Sequence, residues 1–260
     1  MPSSHVVWST DGPVGTLTFN RPQARNALTW DMYDALVEAC EEVDRTPALR
    51  ALIIRGSGES FAAGTDIGQF REFASGADGV AYERRMEAVI SRLERVTRPT
   101  IAAVDGAAVG GGCMIALACD LRVCSQAARF GVPIARTLGN CLSAANCARL
   151  VDLIGPARTK ELLFTGRLLD AAEAASLGLV TRLVEPQALD GAVRELARTI
   201  AGNAPLTIRA TKEAVRRLAL GRRFEERLAD DLTALCYGSH DFREGVSAFL
   251  EKRAPAFTGR

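Results

Sequence analysis

Two short apolar strands, each opening directly onto a glycine-bearing loop, constrain this chain more than any other feature. Leu52, Ile53 and Ile54 form one; a Gly56–Gly58 turn follows, then Ser60, Phe61, Ala62, Ala63, Gly64, Thr65, Asp66 and Ile67. Ile101 to Val104 form the other, continuing into Asp105, Gly106, Ala107, Ala108, Val109, Gly110, Gly111, Gly112 and Cys113 before a helical stretch from Met114 to Cys119. Strands that are apolar on every side must be covered on both faces. Interleaved with helices, they imply a buried α/β arrangement.

The flanking patterns fill in that arrangement. Val14 to Phe19 alternates, with Leu17 and Phe19 on one face and Thr16 and Thr18 on the other, and stops at Asn20, Arg21 and Pro22. Thr29 is the expected N-cap of a helix running to Val43, whose apolar stripe is Met32, Leu36, Cys40 and Val43. Met86, Val89, Ile90 and Leu93 mark a second amphipathic helix. Asp170 with Glu173 and Asp241 with Glu244 have capping-box spacing. From Pro205 onward the pattern is almost entirely helical. We therefore expect a core over residues 1–200 and a C-terminal helical region over 201–260.

Composition narrows the chemistry. The 32 Lys+Arg and 31 Asp+Glu residues nearly cancel, so no global field favours nucleic acid or a membrane surface, and an anionic ligand must be met locally. The Arg216, Arg217, Arg222, Arg223 cluster is answered at once by Glu225, Glu226, Asp230 and Asp231. With only His5 and His240, no CxxC pair and no HExxH, neither a zinc site nor a Ser–His–Asp triad has support. Cys113, Cys119 and Cys124, three of seven cysteines, lie inside apolar runs and read as buried, reduced thiols. Met1 to Thr10 carries no leader pattern and no apolar stretch is long enough to span a bilayer, which sets the expectation of a cytoplasmic protein.

Each glycine loop has a chemical reading and a plain one. Gly64 can adopt a positive φ that turns successive N–H groups outward, and a glycine run opening a helix leaves unpaired N–H groups beside the positive end of the helix dipole. Read alone, the first is equally an ordinary tight turn and the second close helix–strand packing. Neither is a nucleotide loop, because GxxxxGK[ST] is absent and GxGxxG with a downstream acid is unmatched.

Taken together, the order and spacing of these segments resemble the enoyl-CoA hydratase/isomerase, or crotonase, family. The resemblance runs through Asn20 to Pro22, Asn26 to Leu28, Phe61 to Ile67, Val104 to Cys113, Cys119 and Asp120, Phe130 and Gly131, Leu163 to Gly166 and Ala174 to Val180. It ends on Glu244, Gly245, Ser247, Ala248, Phe249, Glu251, Lys252 and Arg253. It implies a spiral of ββα units, a C-terminal helical region used in trimerisation, and assembly as a homotrimer or hexamer. It also implies an extended crevice for an acyl-CoA thioester, coenzyme A entering as part of the substrate and no separate cofactor or metal being required. By position, the backbone N–H groups of Thr65 and Gly111 would form the oxyanion hole. Ala62, Ala63, Asp66 and Ile67 would contact the adenine end, and Arg25, Phe249 and Lys252 would lie near the phosphates and adenine, Lys252 from a neighbouring subunit.

The chain departs from that family at two positions. Hydratases of the family carry a glutamate directly after the Gly-Gly-Gly-Cys run and another shortly after the Phe-Gly pair; here Met114 and Ile134 stand there. One carboxylate must activate water while the other delivers a proton, so standard hydration is expected to be severely weakened. Candidates for replacement lie between Arg136 and Asn146, chiefly Arg136 and Asn140 as groups that orient a carbonyl or carboxylate. Cys141 is a further candidate, with plain loop and helix-start roles as the alternative. The expectation is an enolate-forming enzyme with atypical proton handling. The alternatives are a non-catalytic acyl-CoA-binding protein and a non-hydratase activity such as isomerisation, decarboxylation or thioester hydrolysis.

Overall fold

The computed structural model describes residues 4–71, 73–220, 240–241, 244, 248, 251, 253 and 255–260. Phe249 and Lys252, and the arginines at 222 and 223, lie outside the described residues. The strands are β1 (Val6–Asp11), β2 (Val14–Phe19), β3 (Ala51–Gly56), β4 (Ser60–Ala62), β5 (Thr100–Val104), β6 (Ala107–Val109), β7 (Leu121–Ser125), β8 (Arg129–Gly131), β9 (Leu169–Asp170) and β10 (Arg182–Val184). The helices are α1 (Trp30–Arg45), α2 (Gly76–Glu94), α3 (Gly111–Ala118), α4 (Ile134–Thr137), α5 (Ala144–Thr165), α6 (Ala171–Ser176), α7 (Leu189–Ala201) and α8 (Pro205–Leu220).

Two sheets organise these elements. The larger has the order β1-β2-β3-β5-β7-β10, with the β1–β2 hairpin antiparallel and the remaining pairs parallel; the smaller has the order β4-β6-β8-β9, parallel except for β9. Three times in succession the chain lays a strand in the large sheet, turns into a strand of the small one and leaves through a helix. That is a spiral of ββα units. The turn from β5 into β6 needs Gly106, at φ +56°, because a Cβ there would lie 1.9 Å from the carbonyl oxygen of Glu59.

The apolar strands are covered on both sides, as their sequences require. Leu52, Ile54, Ala102 and Val104 face the main core, together with Leu17 and Phe19 and the stripe Met32, Leu36, Cys40 and Val43 of α1. Ala51, Ile53, Ile101 and Ala103 face the other way, into a second core closed by Leu189, Val193, Leu196 and Ala197 of α7. At 25–30 cal/mol per Å² of apolar area removed from water, each fully buried leucine or isoleucine contributes about 1.5–3 kcal/mol.

Two capping expectations are modified by competing partners. Asp170 caps α6 by accepting the Glu173 N–H at 2.8 Å, but the Glu173 carboxylate does not reciprocate, since it makes a two-bond pair with Arg167 at 2.6 and 2.7 Å. A bidentate guanidinium outcompetes a single neutral N–H. The Asp241 carboxylate accepts the N–H groups of Thr258 and Gly259 at 2.7 and 2.8 Å, which fastens the end of the chain instead of completing a box with Glu244. Among the described residues, no helix is long and apolar enough to cross a membrane.

Arg122 on β7 is buried, and its charge is spread over main-chain oxygens at the end of α3 and at Leu179. It donates to the carbonyls of Cys119 at 2.6 Å, Leu179 at 2.5 Å, and Leu117 and Ala116 at 3.3 and 3.4 Å. The Ala116, Leu117 and Cys119 carbonyls are orphan acceptors of the α3 C-terminus, at the negative end of its dipole. Arg122→Met leaves them buried and unpaired, and a loss of about 1–3 kcal/mol is expected, read as a lower urea midpoint with unchanged m. Arg122→Lys recovers only part of it, because one ammonium lacks the guanidinium's fixed fork.

Candidate active site

The first donor is set by a short parallel bridge beyond β4. Leu28 N–H donates to Gly64 O at 2.8 Å and Asp66 N–H donates to Leu28 O at 2.9 Å, pairing Leu28 with Thr65. In such a bridge the flanking groups bond the partner, while the N–H of the central residue points to the opposite side. Thr65 N–H therefore points away from Leu28. The second donor belongs to α3, whose N-cap is Gly110 at φ 53°, ψ −123°, with no side chain to satisfy the first turn. Gly111, the first helical residue, keeps its N–H unpaired within the helix.

These two segments touch backbone to backbone. A Cβ on Gly64 would sit 3.3 Å from Val109 O and 3.9 Å from Gly110 Cα, and one on Gly112 would sit 2.3 Å from Ala62 O. One on Gly111 would lie 3.2 Å from Thr65 Oγ1 and only 2.3 Å from the Tyr33 hydroxyl. Side chains here would push the segments apart. The positive end of the α3 dipole lies at the Gly111 N–H, an environment that favours negative charge.

Behind the donors stands a hydroxyl trio. Thr65 Oγ1 lies 2.7 Å from Tyr33 Oη and 2.8 Å from Tyr82 Oη. Three hydroxyl protons serve two hydrogen bonds, so in every arrangement one proton is left to donate to a ligand or water. Burial pushes both phenols above the ordinary tyrosine range, which keeps them protonated donors. Tyr82 is fixed by aromatic contacts, edge-on to Phe70 at 4.9 Å between ring centroids and with Phe73 and Trp30 at 6.0 and 5.9 Å.

A cavity of about 50 Å³ lies against Gly110 and Gly111, walled by Met114, Ile134, Met86, Ile90, Val132 and Leu142, with Glu83, Asn140, Cys141 and Asn146. It shares Tyr82, Glu83, Asn140 and Cys141 with a larger cleft of about 660 Å³, whose lining includes Phe70, Phe73, Val80 and Leu138. Met114 is buried and Ile134 half-buried, and both present apolar walls to the inner cavity.

The other residues singled out from the sequence are placed as follows. Exposed Arg25 accepts the Ala63 N–H on its carbonyl at 3.0 Å, which sets it beside buried Ala62 and half-buried Ala63. Ile67 is 55% exposed. Asp66 pairs with Arg21 at 2.5 Å and caps the Ile67–Phe70 turn through Gly68 N–H, contacts that hold its carboxyl below the usual carboxylate range. Asp120 is occupied by Thr100 and Lys212. Asn140 lines both cavities; Arg136 is exposed on α4 and lines neither. Arg216 and Arg217 both pair with Glu213.

Tyr33, Tyr82 and Glu83 are the site residues that the sequence reading missed. Glu83 sits in a charged run with Arg84 and Arg85, which reads as a solvated helix face. A usable signal was present, since Glu83, Met86 and Ile90 share the i, i+3, i+7 stripe that faces the core.

Comparison with known proteins identifies the family. The enoyl-CoA hydratase/isomerase family profile matches residues 9–260. A Mycobacterium bovis protein named "Probable enoyl-CoA hydratase echA8" is 40% identical, with 98% of each chain covered, and a short-chain-enoyl-CoA hydratase of Clostridium acetobutylicum is 36% identical, with 97% of each covered. The crystal structure of an enoyl-CoA hydratase/carnithine racemase from Magnetospirillum magneticum superimposes with a TM-score of 0.93 at 34% identity, covering 99% of this chain and 97% of that one. The chain belongs to the enoyl-CoA hydratase/isomerase family, and its spiral fold is that of the crotonases.

Thiol chemistry offers a direct check on the cavity. Burial pushes the thiols of Cys40, Cys113 and Cys119 up to about 12 and that of Cys124 up to about 11, whereas Cys141 is exposed on the cavity lining. Cys141 is expected to react with a maleimide ahead of those four, as mapped by peptide mass spectrometry. Acetoacetyl-CoA is expected to slow that reaction, and an unchanged rate at saturating ligand would count against this cavity as the acyl site.

Proposed function

We propose that the chain binds an acyl-CoA thioester, holds its carbonyl oxygen between the N–H groups of Thr65 and Gly111, and stabilises the enolate formed there without carrying out standard hydration. The observation that supports this most directly is the backbone contact of the two glycine segments at the head of a cavity walled by Met114 and Ile134. One such donor is typically worth about 10²–10³ in rate, about 3–4 kcal/mol. The 50 Å³ inner cavity admits only the reacting end of an acyl group, so an apolar tail lies in the outer cleft among Phe70, Phe73, Val80 and Leu138. Arg25, Ala62, Ala63, Asp66 and Ile67 receive the adenine and phosphate end, with Phe249 and Lys252 completing it in a trimer or hexamer.

A second reading, a non-catalytic acyl-CoA-binding protein, is favoured by the same apolar walls. Isothermal titration with acetoacetyl-CoA and crotonyl-CoA, followed by a hydration assay on the same preparation, separates the two. Binding is expected, with crotonyl-CoA hydration about a hundred- to ten-thousandfold below that of a relative carrying both glutamates. Hydration at the ordinary rate would overturn the assignment of Met114 and Ile134 as lost acids. Absence of binding would overturn the reading altogether.

A further inference from the structure

We infer that Glu83 is the catalytic base of this site, taking a proton from the acyl chain of the bound thioester and returning it, so that the reaction served is proton exchange and double-bond isomerisation. This rests on the thioester-binding reading above and adds the group that moves the proton.

The geometry carries it. Glu83 projects from α2, and among the described residues it is the only carboxylate lining the inner cavity that also holds Gly111, Met114 and Ile134. It lines the outer cleft as well, so it stands where the acyl chain passes from one to the other. Its Oε2 accepts the Ser143 N–H at 2.9 Å, at the N-cap of α5, while among the described residues Oε1 accepts no hydrogen bond. One oxygen is anchored and the other is left for chemistry. The neighbouring carboxylates are committed elsewhere: Glu87 and Glu94 both pair with Arg149 at 2.7 Å, and Asp34 with Arg85 at 3.0 Å.

The titratable groups around Glu83 are Tyr82 on its own helix, Tyr33 from α1, Glu87 one turn on with its Arg149, and the thiols of Cys141 and Cys147. Burial, with a smaller contribution from Glu87, raises the Glu83 carboxyl above the ordinary glutamate range against the opposing Ser143 hydrogen bond. A base poised nearer neutrality transfers protons better than an ordinary surface glutamate.

The step balances without another reactant. Oε1 takes the α-proton; the C–H pair forms a Cα=C bond, and the carbonyl π pair moves onto oxygen, where two N–H groups receive it. The resulting carboxylic acid returns its proton to the α-carbon, or to the γ-carbon of a β,γ-unsaturated chain, which shifts the double bond into conjugation. One carboxylate suffices because the same proton is removed and returned. Hydration would need a second group to activate water.

The test measures, in D2O, α-deuteration of butyryl-CoA and isomerisation of 3-butenoyl-CoA to crotonyl-CoA, with acetoacetyl-CoA titration in parallel. For Glu83→Gln, both rates are expected to fall at least about a hundredfold with acetoacetyl-CoA affinity changed only severalfold. The wild-type rate is expected to rise with pH through one titration placed above the ordinary glutamate range. Unaltered rates in the variant, or a flat wild-type profile, would overturn the role of Glu83. A wild-type protein that binds acetoacetyl-CoA yet neither exchanges nor isomerises would overturn this inference while leaving thioester binding intact; one that binds nothing would remove both.

Discussion

The structure depends on one contact, in which the backbone beyond β4 meets the start of α3 with no side chain between them. Gly64 and Gly112 are bare where a Cβ would press on Val109 or Ala62, and this closeness brings the Thr65 segment against Gly110 and Gly111, which line the inner cavity. Everything around it keeps those segments in register. The Leu28 bridge fixes the direction of Thr65 N–H, and Arg122 secures the far end of the helix whose near end supplies the second donor. A polarising site made of main chain is only as good as the packing that positions it.

The ββα spiral explains why the fold can supply this contact. β4 and β6 are neighbours in the small sheet, so the segments that follow them, one toward Thr65 and one toward Gly111, emerge side by side. The doubly covered strands of the large sheet make that frame stiff, with α1, α2 and α3 on one side and α7 on the other. Helix α1 does more than cover the sheet. Its Tyr33 places a hydroxyl 2.7 Å from Thr65, linking core packing to the polar lining of the site.

Much of the fold was legible because short all-apolar strands and 3.6-residue stripes report burial directly. β2, β3, β5 and α1 fall where Val14–Phe19, Leu52–Ile54, Ile101–Val104 and the Met32–Val43 stripe place them. The three-residue strands of the small sheet were not legible, since Ser60–Ala62, Ala107–Val109 and Arg129–Gly131 are too short to show a period. Capping boxes were read as closed pairs, whereas Glu173 answers to Arg167, a partner that local spacing does not reveal. At the site, glycine spacing marked the two loops that come into backbone contact. Glu83 stayed hidden because charge next to two arginines looks like surface, although it shares the stripe of Met86 and Ile90.

That contrast between legible glycine loops and a hidden carboxyl follows from what each part of the proposed chemistry requires. An oxyanion hole made of N–H groups survives any substitution that keeps the glycines bare, so the sequences able to supply it are few and recognisable. A proton carrier need only bring one carboxyl oxygen within reach of the acyl carbon, and several elements border this cavity: α2, α3, α4 and the 140–146 stretch. On the proposed reading, apolar Met114 and Ile134 therefore do not empty the site of acid–base chemistry. They move the requirement onto whichever bordering element carries a desolvated carboxyl, and among the described residues that element is α2. The number of such carboxyls then limits the reaction class, since one can shuttle a proton along a bound chain but cannot also activate water.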